Sequence, residues 1–155
     1  MLIEKIVGSG STPAVGVRVD TVNFEWFEQS RKVMKKISSA GEEIGLRLTE
    51  PLRDGDVLYE DATRAVVASQ NPCELIRVEV RDMREMGRVC FELGNRHLPL
   101  SISEDNVKTP YDAPTFEYLA RLGFVCSRVN EKFTGFTEVK AHAHADGHTH
   151  GHGNE

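Results

Sequence analysis

CELIRVEVRDMREMGRVCFELGNRH, residues 73–97, changes its hydrophobic period part-way along, and that change decides the fold. Leu75 to Val80 is a short run rich in β-branched residues, which predicts a strand. Asp82 then stands where a helix N-cap is expected, and Met83, Met86, Val89, Cys90 and Leu93 recur at spacings of three and four, which puts them on one helical face. Gly94 predicts the stop. Downstream the pattern repeats after an interlude. An extended stretch from Leu98 to Ile102, a short strand near Asn106 to Lys108 and a turn at Thr109-Pro110 lead to a second helix. Asp112 caps that helix, Pro114 occupies its first turn, Phe116, Leu119 and Leu122 form its apolar stripe, and Gly123 ends it. Phe124 to Val129 is a closing strand. The order β-α-β-β-α-β is the split βαβ pattern of a ferredoxin-like domain.

Upstream, Asn71-Pro72 marks a break, because proline restricts the residue before it and cannot donate to a sheet ladder. The residues before it read as short strands separated by turn chemistry: Leu2 to Val7, a turn at Gly8-Ser9-Gly10, then alternating Val15, Val17 and Val19. Phe24 to Ser30 has room for a helical turn. Arg31 to Leu48 reads as a hairpin around Ser38-Ser39-Ala40-Gly41, and Asp56 to Tyr59 and Ala65 to Ala68 supply further strands. The expected architecture is therefore α+β. A β-rich domain spans 1–72, a ferredoxin-like domain spans 73–138, and a tail over 139–155, without apolar pattern, is expected to be disordered until something binds it.

A formal net charge of −5 argues against nucleic acid as a partner, since phosphate neutralisation needs a concentrated basic surface, and Arg31-Lys32 with Lys35-Lys36 is too short a cluster to supply one. No apolar run approaches the ~20 residues of a membrane span, and Glu4 interrupts what would be a signal core, so the expected compartment is the cytoplasm and no membrane contact is expected. Cys73, Cys90 and Cys126 are far apart and form no CxxC pair, so they are expected to be reduced and packed.

The tail carries the chemistry. His142, His144, His148, His150 and His152 make up five of the six histidines in the chain. Neutral imidazole ligates nickel, copper, zinc and cobalt, and a flexible run of such groups collects these ions. Expression tags are usually uninterrupted histidine runs, whereas these alternate with Ala, Asp, Thr and Gly, which favours a natural metal-binding tail. The sixth, His97, sits where the first helix ends and a strand begins. One histidine makes no site, but a two-fold dimer presents a residue near its axis twice.

Leu93-Gly94-Asn95-Arg96-His97, the Pro114 to Gly123 helix, Arg53-Asp54-Gly55-Asp56-Val57-Leu58 and the histidine-rich end together resemble the UreE family of urease accessory proteins, which carry nickel. The resemblance runs over nearly the whole chain. It implies a β domain that engages protein partners, a ferredoxin-like metal-binding domain, and a homodimer whose paired His97 residues hold Ni(II) and serve the urease accessory GTPase and urease apoprotein complex. The same ligands accept Zn(II) or Cu(II), so nickel itself rests on the resemblance. Where some relatives carry His-Asp-His before the second helix, this chain has Tyr111-Asp112-Ala113, so those additional sites are expected to be missing and tail residues such as His150 or His152 to complete the His97 pair. A rival expectation, carried by the tail alone, is a cytoplasmic store or buffer of nickel, zinc or copper. An enzyme is not expected: the part predicted to fold has one histidine, no G-x-x-x-x-G-K-[ST] phosphate loop and no Rossmann glycine spacing.

Overall fold

A computed structural model of the chain describes residues 1–9 and 16–137. The β-rich half contains β1 (Leu2–Ile3), β2 (Gly8–Ser9), β3 (Arg18–Phe24), a 3-10 turn at Trp26–Glu28, β4 (Val33–Ile37), β5 (Glu43–Arg47), β6 (Asp56–Glu60) and β7 (Arg64–Gln70). They form two sheets, ordered β1-β5-β4 and β2-β6-β7-β3. Between them lies one apolar cluster, with Val22, Phe24, Ile44, Leu46, Leu52 and Val66 fully covered. The expected hairpin is present as antiparallel β4 and β5, closed by a turn in which Gly41 takes the left-handed backbone.

Three details of the opening differ from the sequence expectation. The Leu2 to Val7 strand shrinks to two residues paired with β5, because the chain then crosses to the other sheet, where the Val7 N–H reaches the Val57 carbonyl. Gly8-Ser9 is consequently strand and not turn, paired with β6, and the Ser9 hydroxyl donates to Asp56 at 2.6 Å. In β3 the inward set is Asp20, Val22 and Phe24, while Val19 is exposed. A buried aspartate at an inward strand position is tolerable because its carboxylate accepts from Ser39 Oγ, Ala40 N and Arg64 Nη2. These donors hold its pKa far below the ordinary range despite the opposing effect of burial, which is the largest single influence on it. Val15 lies outside the described residues.

The second half follows the predicted order: β8 (Cys73–Glu79), α1 (Met83–Asn95), β9 (Ser101–Ile102), β10 (Asn106–Pro110), α2 (Ala113–Arg121) and β11 (Val125–Glu131). The sheet runs β11-β8-β10-β9 with every neighbouring pair antiparallel, the ferredoxin-like arrangement. Ile76, Val78 and Val107 of the sheet meet Val89 and Leu93 of α1 and Leu119 of α2 in a second apolar cluster. Both predicted caps are made: Asp82 accepts from Glu85 N at 2.7 Å and Asp112 from Thr115 N at 3.0 Å.

Three expectations are corrected here too. Thr109 and Pro110 end β10 instead of turning, and Pro110 does so at no cost because it lies past the end of β9, where no neighbour needs its missing N–H. Gly94 is inside α1, which runs one residue further. Met83 leaves the apolar stripe and is 89% exposed. Glu85 folds in on the opposite flank because its carboxylate accepts from the Arg81 guanidinium and from the Arg81 main-chain N–H.

After β11 the chain runs back toward the β-rich half. Lys132 Nζ donates to Asp54 at 2.8 Å, the Phe133 carbonyl accepts from Gln70 Nε2 at 3.0 Å, and Trp26 stands edge-on to both Phe133 and Phe136. Thr137, the last described residue, then makes an antiparallel bridge with Leu100. No helix among the described residues is long and apolar enough to cross a membrane.

Candidate metal centre

The two helices of the ferredoxin-like domain end in the same way. At the end of α2 the Gly123 N–H donates to the Ala120 carbonyl at 3.0 Å and the Phe124 N–H to the Leu119 carbonyl at 3.2 Å. At the end of α1 the His97 N–H donates to the Gly94 carbonyl at 3.0 Å and the Leu98 N–H to the Leu93 carbonyl at 3.2 Å. This is the Schellman motif, whose turning residue adopts the left-handed backbone and is usually glycine. Gly123 has φ 87°, and His97, in the equivalent place, has φ 56°.

His97 is the one non-glycine residue with positive φ among the described residues. The left-handed backbone costs an L-residue about 1–2 kcal/mol because Cβ crowds the following carbonyl oxygen. The packing that holds His97 there is strong: Leu93, whose carbonyl accepts the wider bond, is fully buried, and Leu98 packs on the same cluster. Next to it, the Arg96 guanidinium lies 4.8 Å over the Tyr118 ring, and the Tyr118 hydroxyl donates to Glu92 at 2.6 Å, tying the end of α1 to α2. That hydrogen bond to a carboxylate raises the Tyr118 pKa. The His97 side chain itself is exposed. An exposed imidazole thus stands at a position where glycine would fit without strain.

Other donors are arranged differently. Among the described residues no three His, Cys, Asp or Glu side chains come together as a metal site. Cys73, Cys90 and Cys126 are half-buried and free, and burial pushes each thiol up, which disfavours the thiolate a metal needs. Cys90 Sγ lies 4.0 Å from Met86 Sδ, within the apolar stripe as expected. Asp112 is committed to capping α2 through the Thr115 N–H and hydroxyl, and Tyr111 lies under the Arg128 guanidinium at 4.2 Å. His142, His144, His148, His150 and His152 lie outside the described residues. The left-handed conformation of His97 is what the sequence reading missed. Its signal is the match between Leu93…His97-Leu98 and Leu119…Gly123-Phe124, which aligns the histidine with a helix-ending glycine.

Fold and site define a class first: a β-rich half joined to a ferredoxin-like half that displays a ligand-type side chain at a helix end. Comparison with known proteins makes this particular. The model of the UreE urease accessory protein N-terminal domain matches residues 3–69, and that of the UreE C-terminal domain matches residues 73–155. A urease accessory protein UreE from Bifidobacterium longum subsp. infantis is 46% identical over 124 residues, covering 80% of this chain and 56% of that protein. UreE of Acetivibrio thermocellus is 37% identical over 138 residues, 88% of this chain and 89% of its own length. UreE of Flavobacterium johnsoniae is 33% identical over 152 residues, 94% and 92% of the two chains. The chain belongs to the UreE urease accessory protein family, whose members are accessory proteins and not enzymes.

Proposed function

We propose that this chain is a cytoplasmic nickel carrier for urease maturation, that it works as a homodimer, and that the His97 imidazoles of two copies hold Ni(II) with help from the tail. The observation that carries this is the left-handed His97, exposed at a position where the backbone favours glycine. A single fixed imidazole cannot hold an ion alone, and among the described residues no three His, Cys, Asp or Glu side chains come together to complete a site. The missing ligands therefore come from a second copy and from the tail. Exposed Met83 and Phe91 on α1 offer apolar surface to such a second copy.

The bridge between Leu100 and Thr137 bears on which tail residues can help. The tail departs beside a residue three positions past His97, and His142 follows Thr137 by five residues, a reach of roughly 17 Å when extended. His142 and His144 thus qualify as ligands as well as His148, His150 and His152, so His150 and His152 have no special claim by reach. The same inventory accepts Zn(II) or Cu(II).

Imidazoles suit transfer. Mobile ligands can leave one at a time, while the fixed pair keeps the ion in a defined place for the urease accessory GTPase and the urease apoprotein complex. In this proposal residues 1–72 engage partners, residues 73–138 bind metal and dimerise, and residues 139–155 add capacity. Two separate apolar clusters, one in each folded half, support that division.

The test is nickel analysis combined with size measurement. His97→Ala is expected to keep loose binding and the dimer but lose the tight ion. Deleting residues 139–155 is expected to lower the number of ions while leaving one tight site per dimer. If the deletion removed all binding and His97→Ala changed nothing, a tail-based buffer of nickel, zinc or copper would replace this proposal.

A further inference from the structure

We propose that residues 132–137 form a strap that roots the histidine-rich tail beside the metal centre, and that Trp26 and Phe136 are positioning residues for the bound ion although neither touches it. This role rests on His97 and the tail together holding the ion.

β11 ends at Glu131, and the residues that follow are held by groups far away in sequence. Lys132 Nζ donates to both Asp54 carboxylate oxygens, at 2.8 and 2.9 Å. The Phe133 carbonyl accepts from Gln70 Nε2 at 3.0 Å, and Phe133 is buried. Gly135, at φ 63°, makes the reversal that lays the Phe136 ring over that of Phe133, with centroids 4.4 Å apart. Both rings stand edge-on to Trp26, at 5.5 and 5.6 Å, so a three-ring anchor joins the strap to the β-rich half.

Beyond the anchor, the Thr137 N–H donates to the Leu100 carbonyl at 2.8 Å and the Leu100 N–H to the Thr137 carbonyl at 3.2 Å. Leu100 is buried in the same apolar cluster as Leu93, and Leu98 packs against that cluster. Leu93 and Leu98 also carry the wider hydrogen bond of the His97 turn. Thr137 is therefore fixed on the packing that fixes His97. Because the bridge is antiparallel, Thr137 directs the chain back along Pro99 and Leu98 toward His97, and not onward along β9.

Rooting matters through concentration. A tethered ligand acts at an effective concentration that falls as roughly the −3/2 power of tether length. His142 follows Thr137 by five residues and Glu131 by eleven, and His150 follows them by thirteen and nineteen. Starting the tail at Thr137 instead of Glu131 thus raises tail imidazole at the His97 pair about twofold for His150 and about threefold for His142. Only the shared tight ion gains, since ions held by the tail alone are indifferent to where it is rooted. Through Trp26 the β-rich half bears on nickel retention without supplying a ligand.

The test measures nickel affinity of the tight site in the full chain by competition with a chelator, alongside ion number and dimer size. Phe136→Ala removes the ring stack, and Thr137→Pro, at an exposed residue, removes the N–H of the bridge. Each is expected to weaken the tight ion about two- to threefold, with ion number and dimer unchanged. A Gly-Ser insertion of about twenty residues after Thr137 keeps every contact of the strap and is expected to weaken the tight ion about four- to elevenfold. In a chain lacking residues 139–155 the two substitutions are expected to change nothing, because no tail remains to be positioned. A strap that only supported the fold would alter affinity equally in both backgrounds. Unchanged affinity in the insertion or in both substitutions, or an effect that survives deletion of the tail, would overturn the strap's role. His97→Ala in parallel tells the two readings apart: a tight ion that survives it overturns the metal centre itself, and the strap's role with it.

Discussion

Replacing His97 by glycine should make the metal-free protein more stable and the nickel-loaded protein less so. In the left-handed turn glycine relieves about 1–2 kcal/mol of backbone strain, against about 0.4–1 kcal/mol for the extra freedom it gives the unfolded chain. The net is a stabilisation of about 1 kcal/mol, or roughly 2–4 °C in a chain of this size. Both hydrogen bonds of the turn, His97 N to Gly94 O and Leu98 N to Leu93 O, survive because they are main-chain bonds. His97→Ala keeps Cβ in the strained backbone and should lack this gain, which separates relief of strain from loss of the imidazole. With free nickel at about 100 times the dissociation constant, wild type gains about 2.7 kcal/mol from binding to the folded state. His97→Gly should gain far less, since tail ligation alone does not hold the folded domain. The order of stabilities therefore inverts between chelator and nickel. Thermal and urea unfolding in both conditions, with nickel content measured in parallel, provide the check. A His97→Gly variant less stable than wild type in chelator would refute the strain argument, and one that kept the tight ion would refute the ligand assignment.

Cys90→Ser should cost stability, on the order of 1–2 kcal/mol for a hydroxyl in a half-buried apolar place, and leave nickel content unchanged; a folded variant that lost nickel would make Cys90 a ligand after all. Leu93→Ala removes a fully buried side chain at the base of the histidine turn and should lower stability by about 2–5 kcal/mol, read as a shift in urea midpoint, and a cost under ~1 kcal/mol would mean the turn is not held by that packing. Glu85 has a folded pKa lowered from 4.5 to about 2 by the Arg81 guanidinium and main-chain N–H, so its charge contributes stability above the unfolded value and loses it as pH falls through about 2. Glu85→Gln should therefore be less stable than wild type at pH 7, with the gap closing from about pH 4.5 to 2 in acid unfolding curves; a gap that persisted undiminished at low pH would show that packing and not charge holds this residue in place.

The division between sequence and structure is visible in particular residues. Local chemistry was legible: Asp82 and Asp112 cap their helices, Gly123 ends α2, and the β-α-β-β-α-β order follows from period and punctuation. The run of histidines was legible as metal-ligand chemistry, since that chemistry belongs to side chains and needs no fold to be recognised, whereas a role for His97 came only with the resemblance to the UreE family. What depended on partners far away in sequence was not legible. Val19 alternates correctly yet faces solvent, because Ser39, Ala40 and Arg64 make it possible to bury Asp20 instead. Gly8-Ser9 carries turn residues and becomes strand because β6 is waiting beside it. Periodicity placed Met83 in the apolar stripe, yet it is exposed, and Glu85 is buried instead because its carboxylate accepts from the guanidinium of Arg81 two residues before the helix. The left-handed turn of His97, the exit of the tail beside Leu100 and the open acceptor of Gln70 arise only when packed elements fix a backbone or exclude water. The sequence by itself showed which side chains carry metal-ligand chemistry, because that is set by atoms within single residues; the tertiary structure alone decided where His97 stands and which backbone it takes, because burial and hydrogen bonding are properties of residues brought together from distant parts of the chain.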